Sequence, residues 1–267
     1  MSALAFTDDM ARVQRALAQC HDMVVRRSAV LEALRLRSGE RVLEIGCGGG
    51  FYAYEAGQCV GPTGRVCALD LSADQIAAAK GRCGELAWVE CQVADAVKLP
   101  YGNAEFDAVY GVQVFEYVAK LDDALQGIQR VLRPGGRVVI LSTNWSSLVW
   151  YSDQPARMER VLRAFAAHAP HPDLPAMLPA RLRQFGMTAI RQTPVPVLNT
   201  SYHANSFSYW LARMIRPFVL GRQAVTADEA DAWLRELEEL EHRGAYFFCS
   251  TPIITEATTV GAGNRAL

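Results

Sequence analysis

Short unbroken apolar runs, rather than helical spacings, dominate the first half of this chain. Val42-Leu43-Glu44-Ile45, Arg65-Val66-Cys67-Ala68-Leu69, Leu86 to Val93, Phe106-Asp107-Ala108-Val109-Tyr110 and Arg137 to Leu141 are each bounded by turn-forming or acidic residues. Runs of this kind read as strands buried on both faces. Helical stretches fall between them: Phe51 to Gln58, a helix that starts at the capping box Ser72-Ala-Asp-Gln75 and runs to about Arg82, and Leu121 to Leu132, stopped by Pro134-Gly135-Gly136. Two more helices, Asp8 to Gln19 and Met23 to Arg35, open the chain. Strands alternating with helices predict an α/β fold with a doubly wound, mostly parallel sheet.

Beyond Thr143 the rhythm changes. A long insertion separates the fifth strand from the next strand candidate, Met187 to Gln192. Within it Met158, Val161, Leu162 and Phe165 share one helical face, and Pro170 to Pro179 read as a stiff, proline-punctuated loop. Thr226-Ala-Asp-Glu229 is a second capping box, introducing a helix with Ala230, Trp233, Leu234, Leu237 and Leu240 inward, Gly244 at its end, and the acidic run Glu236, Glu238, Glu239, Glu241 as its solvated face. Tyr246 to Ile254 reads as a closing strand, with Pro252 at an end or edge. The chain is thus expected to be one domain with helical cap elements. Residues 1–38 form a helical segment over the cofactor site and 39–143 the cofactor-binding core; 144–257 carry the substrate cap and closing strands, and 258–267 a frayed tail.

Charge narrows the partners. With 27 basic and 28 acidic residues and no basic run or basic-aromatic stripe, the electrostatic footprint of a nucleic-acid binder is missing. No apolar run approaches the ~20 residues of a membrane helix, and the first residues lack the charged and apolar regions of a signal peptide. Seven cysteines, an odd number without a C-x-x-C pair, read as reduced thiols. The expectation is a soluble cytoplasmic protein, monomer or homodimer, with a small-molecule acceptor and neither nucleic acid nor membrane as partner. No metal is expected, since His168-x-x-His171 has no carboxylate or cysteine partner at ligand spacing.

The chemistry begins at Glu44-Ile45-Gly46-Cys47-Gly48-Gly49-Gly50-Phe51, where the first strand breaks into glycines. Missing Cβ atoms let backbone and ligand approach closely. A dinucleotide fingerprint needs a glycine where Phe51 stands, so the turn favours S-adenosylmethionine over NAD. Asp70, ending the second strand, is placed to accept from both ribose hydroxyls; Asp95 and the Ala96 N–H, after the third, are placed to read an adenine edge. Gly46 and Gly48 bring backbone N–H groups to a ligand carboxylate. Each acid has a plainer reading as a helix or turn cap. Their coincidence with the glycine turn favours the ligand.

These residues resemble the class I S-adenosylmethionine-dependent methyltransferases, in particular the group that includes the ubiquinone/menaquinone-biosynthesis enzymes. The resemblance is carried by Val42-Leu-Glu-Ile-Gly-Cys-Gly-Gly-Gly50, Gly64-Arg-Val-Cys-Ala-Leu-Asp70-Leu-Ser, Asp95-Ala-Val-Lys-Leu-Pro100, Phe106-Asp-Ala-Val and Arg130-Val-Leu-Arg-Pro-Gly-Gly-Arg-Val138. It implies a seven-stranded Rossmann-like methyltransferase sheet with an antiparallel last strand. It also implies cofactor contacts at Glu44, Gly46, Gly48, Asp70, Leu71, Asp95, Ala96 and Gln113. Transfer of a methyl group from a sulfonium needs alignment and a dry pocket, not a covalent nucleophile. Tyr110, Phe115, Tyr117, Trp145, Trp150 and Tyr151 are aromatic candidates for the pocket, with His168, His171, His203, Glu116 or Tyr117 as candidate bases for a hydroxyl acceptor. Tyr117, Trp145 and His168 are taken as substrate residues, and the apolar insertion favours an apolar or aromatic acceptor. An NAD-dependent oxidoreductase and a repurposed cofactor-binding protein are the alternatives.

Overall fold

The computed structural model describes residues 13–14 and 16–261. Of the expected first helix, residues 8–12 and 15 lie outside the described set; Val13, Gln14, Ala16 and Leu17 are helical. The elements that follow are α1 (His21–Leu34), β1 (Arg41–Ile45), α2 (Phe51–Val60), β2 (Arg65–Asp70), α3 (Ala73–Cys83), β3 (Val89–Val93), β4 (Phe106–Val112), α4 (Leu121–Val131) and β5 (Leu132–Thr143). Then come β6 (Val149–Trp150), α5 (Pro155–Ala166), α6 (Leu174–Gln184), β7 (Met187–Pro194), β8 (Val197–Asn199), α7 (Phe207–Val219), α8 (Ala227–His242), β9 (Phe248–Ser250) and β10 (Pro252–Thr259). The chain divides into two compact units: residues 27–143, 173–194 and 253 onward, and residues up to 26, 144–172 and 195–252.

The first unit carries the seven-stranded sheet, ordered β3-β2-β1-β4-β5-β10-β7. β1 runs parallel between β2 and β4, so strand order reverses there, and Glu44 is level with Ala68 on one side and Tyr110 on the other. Such a switch point opens a crevice beyond the carboxyl ends of the strands. β7 is antiparallel to β10. At the far end of β10 the Thr259 hydroxyl donates to the carbonyls of Arg133 and Gly136, which begin β5. Thr258 and Thr259, expected to be frayed, are therefore sheet residues. α4 buries Leu121, Ala124, Leu125, Ile128 and Val131, a single helical stripe, in a core with Leu43, Ile45, Val109 and Ile140.

Two prolines expected in a loop belong to α6. Pro175 sits in its first turn, where its missing N–H is of no account. Pro179 is interior, and it deprives the Pro175 carbonyl of its helical donor. The Gln192 side-chain amide of β7 donates to that carbonyl instead, at 2.7 Å.

The second unit packs α5, α7 and α8 with a three-stranded antiparallel sheet, β6-β9-β8. Trp150 makes edge contacts with Trp233 at 5.4 Å and Phe248 at 4.7 Å. Here Glu236, expected on the solvated face of α8, is 5 % exposed. Its carboxylate accepts from the Ser152 hydroxyl (2.6 Å), the Gln154 N–H (3.1 Å) and Arg157 (2.7 Å). The reason is helical spacing: 236 stands on the stripe of Trp233, Leu237 and Leu240. The expected single strand from Tyr246 to Ile254 is two strands, β9 in the small sheet and β10 in the large one.

Candidate active site

The glycine turn is shaped by two different needs. Gly46, Gly48 and Gly50 all have positive φ, at +73°, +50° and +77°. A Cβ on Gly46 would stand 2.2 Å from Val114 Cγ2, and one on Gly50 would stand 2.9 Å from the Ala79 Cα. Those two glycines are required by packing within the protein. Gly48 differs, for nothing lies within 4 Å of its missing side chain. It is the place where the turn leaves room for something other than the protein.

Asp70 clamps this turn to the next helix. Its Oδ2 accepts from the Gly48 N–H and its Oδ1 from the Ser72 N–H, both at 2.9 Å. Ser72 in turn accepts from the Gln75 N–H at 3.3 Å, so the capping box forms as expected. The capping reading of Asp70 therefore holds, and the Gly48 N–H offered above to a ligand carboxylate serves Asp70. A carboxylate has about four lone-pair sites, so two engaged oxygens still have acceptor capacity. Asp95 likewise makes an Asx turn, accepting from the Val97 N–H at 3.0 Å, and is otherwise exposed. Ala96 is half-buried and Leu71 is 73 % exposed, a large apolar side chain open at the end of β2.

Glu44 is 1 % exposed, and its Oε2 lies buried without a hydrogen-bond partner, as does the hydroxyl of its strand neighbour Tyr110. Burial pushes the Glu44 carboxyl well above the ordinary carboxylate range. At the end of β4, Gln113 adopts φ +55°, a left-handed conformation rare outside glycine, and its Oε1 accepts from the Thr143 hydroxyl at 3.0 Å. Phe51 opens α2 with its ring 3.5 Å from the Arg82 guanidinium, and Arg82 donates to the Gly49 carbonyl. All eight residues expected to hold the cofactor thus lie in the sheet unit at the carboxyl ends of β1 to β4.

The candidate acceptor residues fare differently. Tyr117 closes a short 3₁₀ turn, Phe115–Tyr117, after β4. Glu116 beside it is fully buried and accepts from the Thr143 N–H at 3.1 Å. Trp145 and His168 belong to the other unit, 4.8 Å apart edge to face. His168 is 1 % exposed, stacked on Phe165 at 4.0 Å, with Nδ1 donating to the Phe165 carbonyl. Desolvation lowers its pKa to about 4. It is a packed core histidine at a helix end, which counts against direct contact with a substrate. Trp145 lines a groove of about 960 Å³ together with Leu148, Trp150, Met158, Leu162 and Phe247. Among the described residues no group of three or more His, Cys, Asp or Glu is placed to hold a metal, and no helix is long and apolar enough to cross a membrane.

A parallel sheet reversing at β1 and β4, with a glycine turn and strand-end acids over the switch point, is a doubly wound α/β architecture with a ligand crevice at the strand ends. A family model described as a methyltransferase domain matches residues 43–140, the span that contains all of these features. Two curated relatives are similar over part of this chain. One is an uncharacterized 37.1 kDa protein of a Streptomyces fradiae transposon, 36 % identical over 53 % of this chain and 40 % of its own length. The other is the ubiquinone/menaquinone biosynthesis C-methyltransferase of Pseudomonas putida (strain GB-1), 37 % identical over 42 % of this chain and 44 % of its own. The matches thus span less than half the length of these relatives. Among solved structures, a Haemonchus contortus phosphoethanolamine N-methyltransferase in complex with S-adenosyl-L-methionine superposes with TM-score 0.64 at 16 % identity, covering 95 % of this chain and 57 % of that one. The [4+2]-cyclase SpnF superposes with TM-score 0.58 at 21 % identity, covering 90 % and 82 %. At such identities the likeness is one of fold.

Proposed function

We propose that this chain transfers a methyl group from S-adenosylmethionine to oxygen, nitrogen or carbon of a small apolar or aromatic molecule. The observation that carries the reading is the Asp70 clamp, a carboxylate fixed between the glycine turn and the start of α3 at the switch point. The residues fit the donor. Glu44 offers a buried carboxyl oxygen without a partner, and Gly48 has open space where a Cβ would stand. Asp70 keeps acceptor capacity for ribose hydroxyls, and Asp95 with Ala96 supplies an acceptor and a donor for adenine. When bound, the donor supplies an electrophilic methyl on a positively charged sulfur. The protein's share is to hold the reactants in line and exclude water. Support for an apolar or aromatic acceptor comes from the apolar and aromatic make-up of residues 144–257. The same fold serves a cyclase, so product formation has to be measured and not assumed.

Calorimetric titration with S-adenosylmethionine and with NADH tests the donor; binding of NADH alone would reject the reading. Asp70→Ala is expected to weaken the donor roughly ten- to a hundredfold, the worth of bonds to a charged acceptor. Unchanged affinity in a folded variant would remove Asp70 from the site. Incubation with methyl-labelled donor and a panel of phenols, quinols and amines tests transfer; binding without label in any product would favour a cofactor-binding protein that does not methylate.

A further inference from the structure

Gly48, Gly49 and Gly50 follow one another in the turn between β1 and α2. Glycine gives up more backbone freedom on folding than any other residue, so three in a row keep one shape only under restraint from outside. That restraint comes from the two ends of α3. Before its start, Asp70 Oδ2 accepts from the Gly48 N–H at 2.9 Å. At its far end Arg82 Nε donates to the Gly49 carbonyl at 2.8 Å, and the Cys83 thiol donates to the Gly50 carbonyl at 3.8 Å. Residues 75, 79, 82 and 83 share one helical face. The same face sets Ala79 against Gly50 and brings Gln75 Oε1 to 3.8 Å from where a Gly49 Cβ would stand.

Arg82 is an exposed residue, yet its guanidinium is not left to swing: the central carbon stands 3.5 Å from the centroid of the Phe51 ring. Arg27 lies over the same ring at 5.2 Å, with its Nε donating to Glu55. A planar guanidinium stacked on an aromatic face has its N–H directions fixed, which an ammonium on a flexible stem cannot reproduce. Phe51 occupies the place where a dinucleotide turn carries its third glycine. Here its ring is the platform that aims Arg82 at the turn.

We infer that Arg82, held on the Phe51 ring, is a positioning residue for the amino-acid end of the methyl donor. It acts through the Gly49 carbonyl: with the Gly49–Gly50 peptide fixed, the turn is ordered before the ligand arrives, and binding does not bear the cost of ordering it. The inference rests on reading this turn as the donor site, with the methionine end of the donor against the turn and its ribose and adenine at Asp70 and Asp95.

The test uses the full chain as wild type, Arg82→Ala, Arg82→Lys, Phe51→Leu and the double variant Phe51→Leu/Arg82→Ala, with urea unfolding to verify that each is folded. Each is titrated with S-adenosylhomocysteine and with 5′-methylthioadenosine, which has the same adenosine and sulfur but no amino-acid end. Hydrogen exchange is followed over Gly48 to Phe51, where the Gly48 and Gly50 N–H groups are hydrogen-bonded to Asp70 and the Cys47 carbonyl. Arg82→Ala is expected to quicken exchange in the turn and to weaken S-adenosylhomocysteine roughly fivefold or more, while 5′-methylthioadenosine changes by less than about twofold. Lysine does not restore the affinity, and Phe51→Leu reproduces the loss. The double variant binds no more weakly than the weaker single one, because ring and guanidinium act through one restraint. Should the alanine variant fail to fold, the lysine variant carries the same comparison of the two ligands. Equal weakening of both ligands would make Arg82 a general stabiliser and overturn the inference. So would unchanged exchange, full affinity in the lysine variant, or losses that add in the double variant. If the wild type binds neither ligand, the donor reading falls; quicker exchange in Arg82→Ala then still upholds the restraint on the turn, and unchanged exchange overturns that as well.

Discussion

Both units bury glutamates, and Glu44 in one and Glu236 in the other are treated in opposite ways. Glu44 in the sheet unit keeps an oxygen with no partner, and burial drives its pKa up. Burial would likewise raise the pKa of Glu236 in the aromatic unit, but the bonds from Ser152 and Arg157 outweigh it and leave the carboxyl below its ordinary range. A buried acid whose acceptors are filled by its own chain is architecture, because removing it strands its donors. On the proposed function, a buried acid left short of donors at a switch point is completed by a ligand.

The largest expected effect tests the architectural member. Glu236→Leu leaves Arg157 and the Ser152 hydroxyl without the acceptor they share and is expected to cost about 3 kcal/mol in urea unfolding at pH 7. A cost near zero would mean that this carboxylate is surface-like after all. Because the folded pKa of Glu236 is depressed, its contribution is present above the unfolded value and lost as pH falls through the folded one.

His168 in the same unit offers an effect of similar size from the opposite kind of group. Its folded pKa of about 4 lies below the ordinary 6.5, so the unfolded chain takes up a proton that the folded chain refuses. Stability is full above pH 6.5 and falls as pH drops toward 4, by about 3 kcal/mol for this residue. His168→Gln should flatten that limb; an unchanged limb would assign it to other groups.

Glu44 should behave in reverse. Folded Glu44 holds its proton above pH 4.5 where the unfolded side chain has lost it, so its contribution to stability declines as pH rises. Glu44→Gln is expected to raise stability at pH 7 by about 1–2 kcal/mol, the burden of a poorly satisfied buried group, while weakening the donor. Lower stability in that variant would place Glu44 with Glu236. The smallest effects come from the two capping boxes. Ser72→Ala and Thr226→Ala should each cost about 1 kcal/mol of unfolding free energy, since both hydroxyls accept from the third helical N–H. A large difference between them would show that one helix end is held by something besides its cap.

The same contrast governs what could be read in the sequence. Strands of the sheet unit are continuous apolar runs ending at glycine or aspartate, and both capping boxes have local signatures, so β1 to β5 and the strand-end acids were legible. α7 was not, since Phe207 to Val219 mixes apolar and polar residues around an interior Pro217. β6 and β8 are two and three residues long, too short for any period to register. Glu236 reads as solvated because its charge, within an acidic run, masks the helical stripe on which it stands. That Glu44 stands level with Tyr110 depends on strand neighbours far apart in the chain, which no local pattern carries.

Gln192 has a bearing on solution behaviour. It sits on β7, the outermost strand on its side of the sheet, where unpaired backbone groups are a template for another chain's strand. By taking the carbonyl that Pro179 leaves free, this one amide holds α6 to that edge. A proline that reads as a loop marker thus frees the carbonyl by which α6 is tied to the outermost strand.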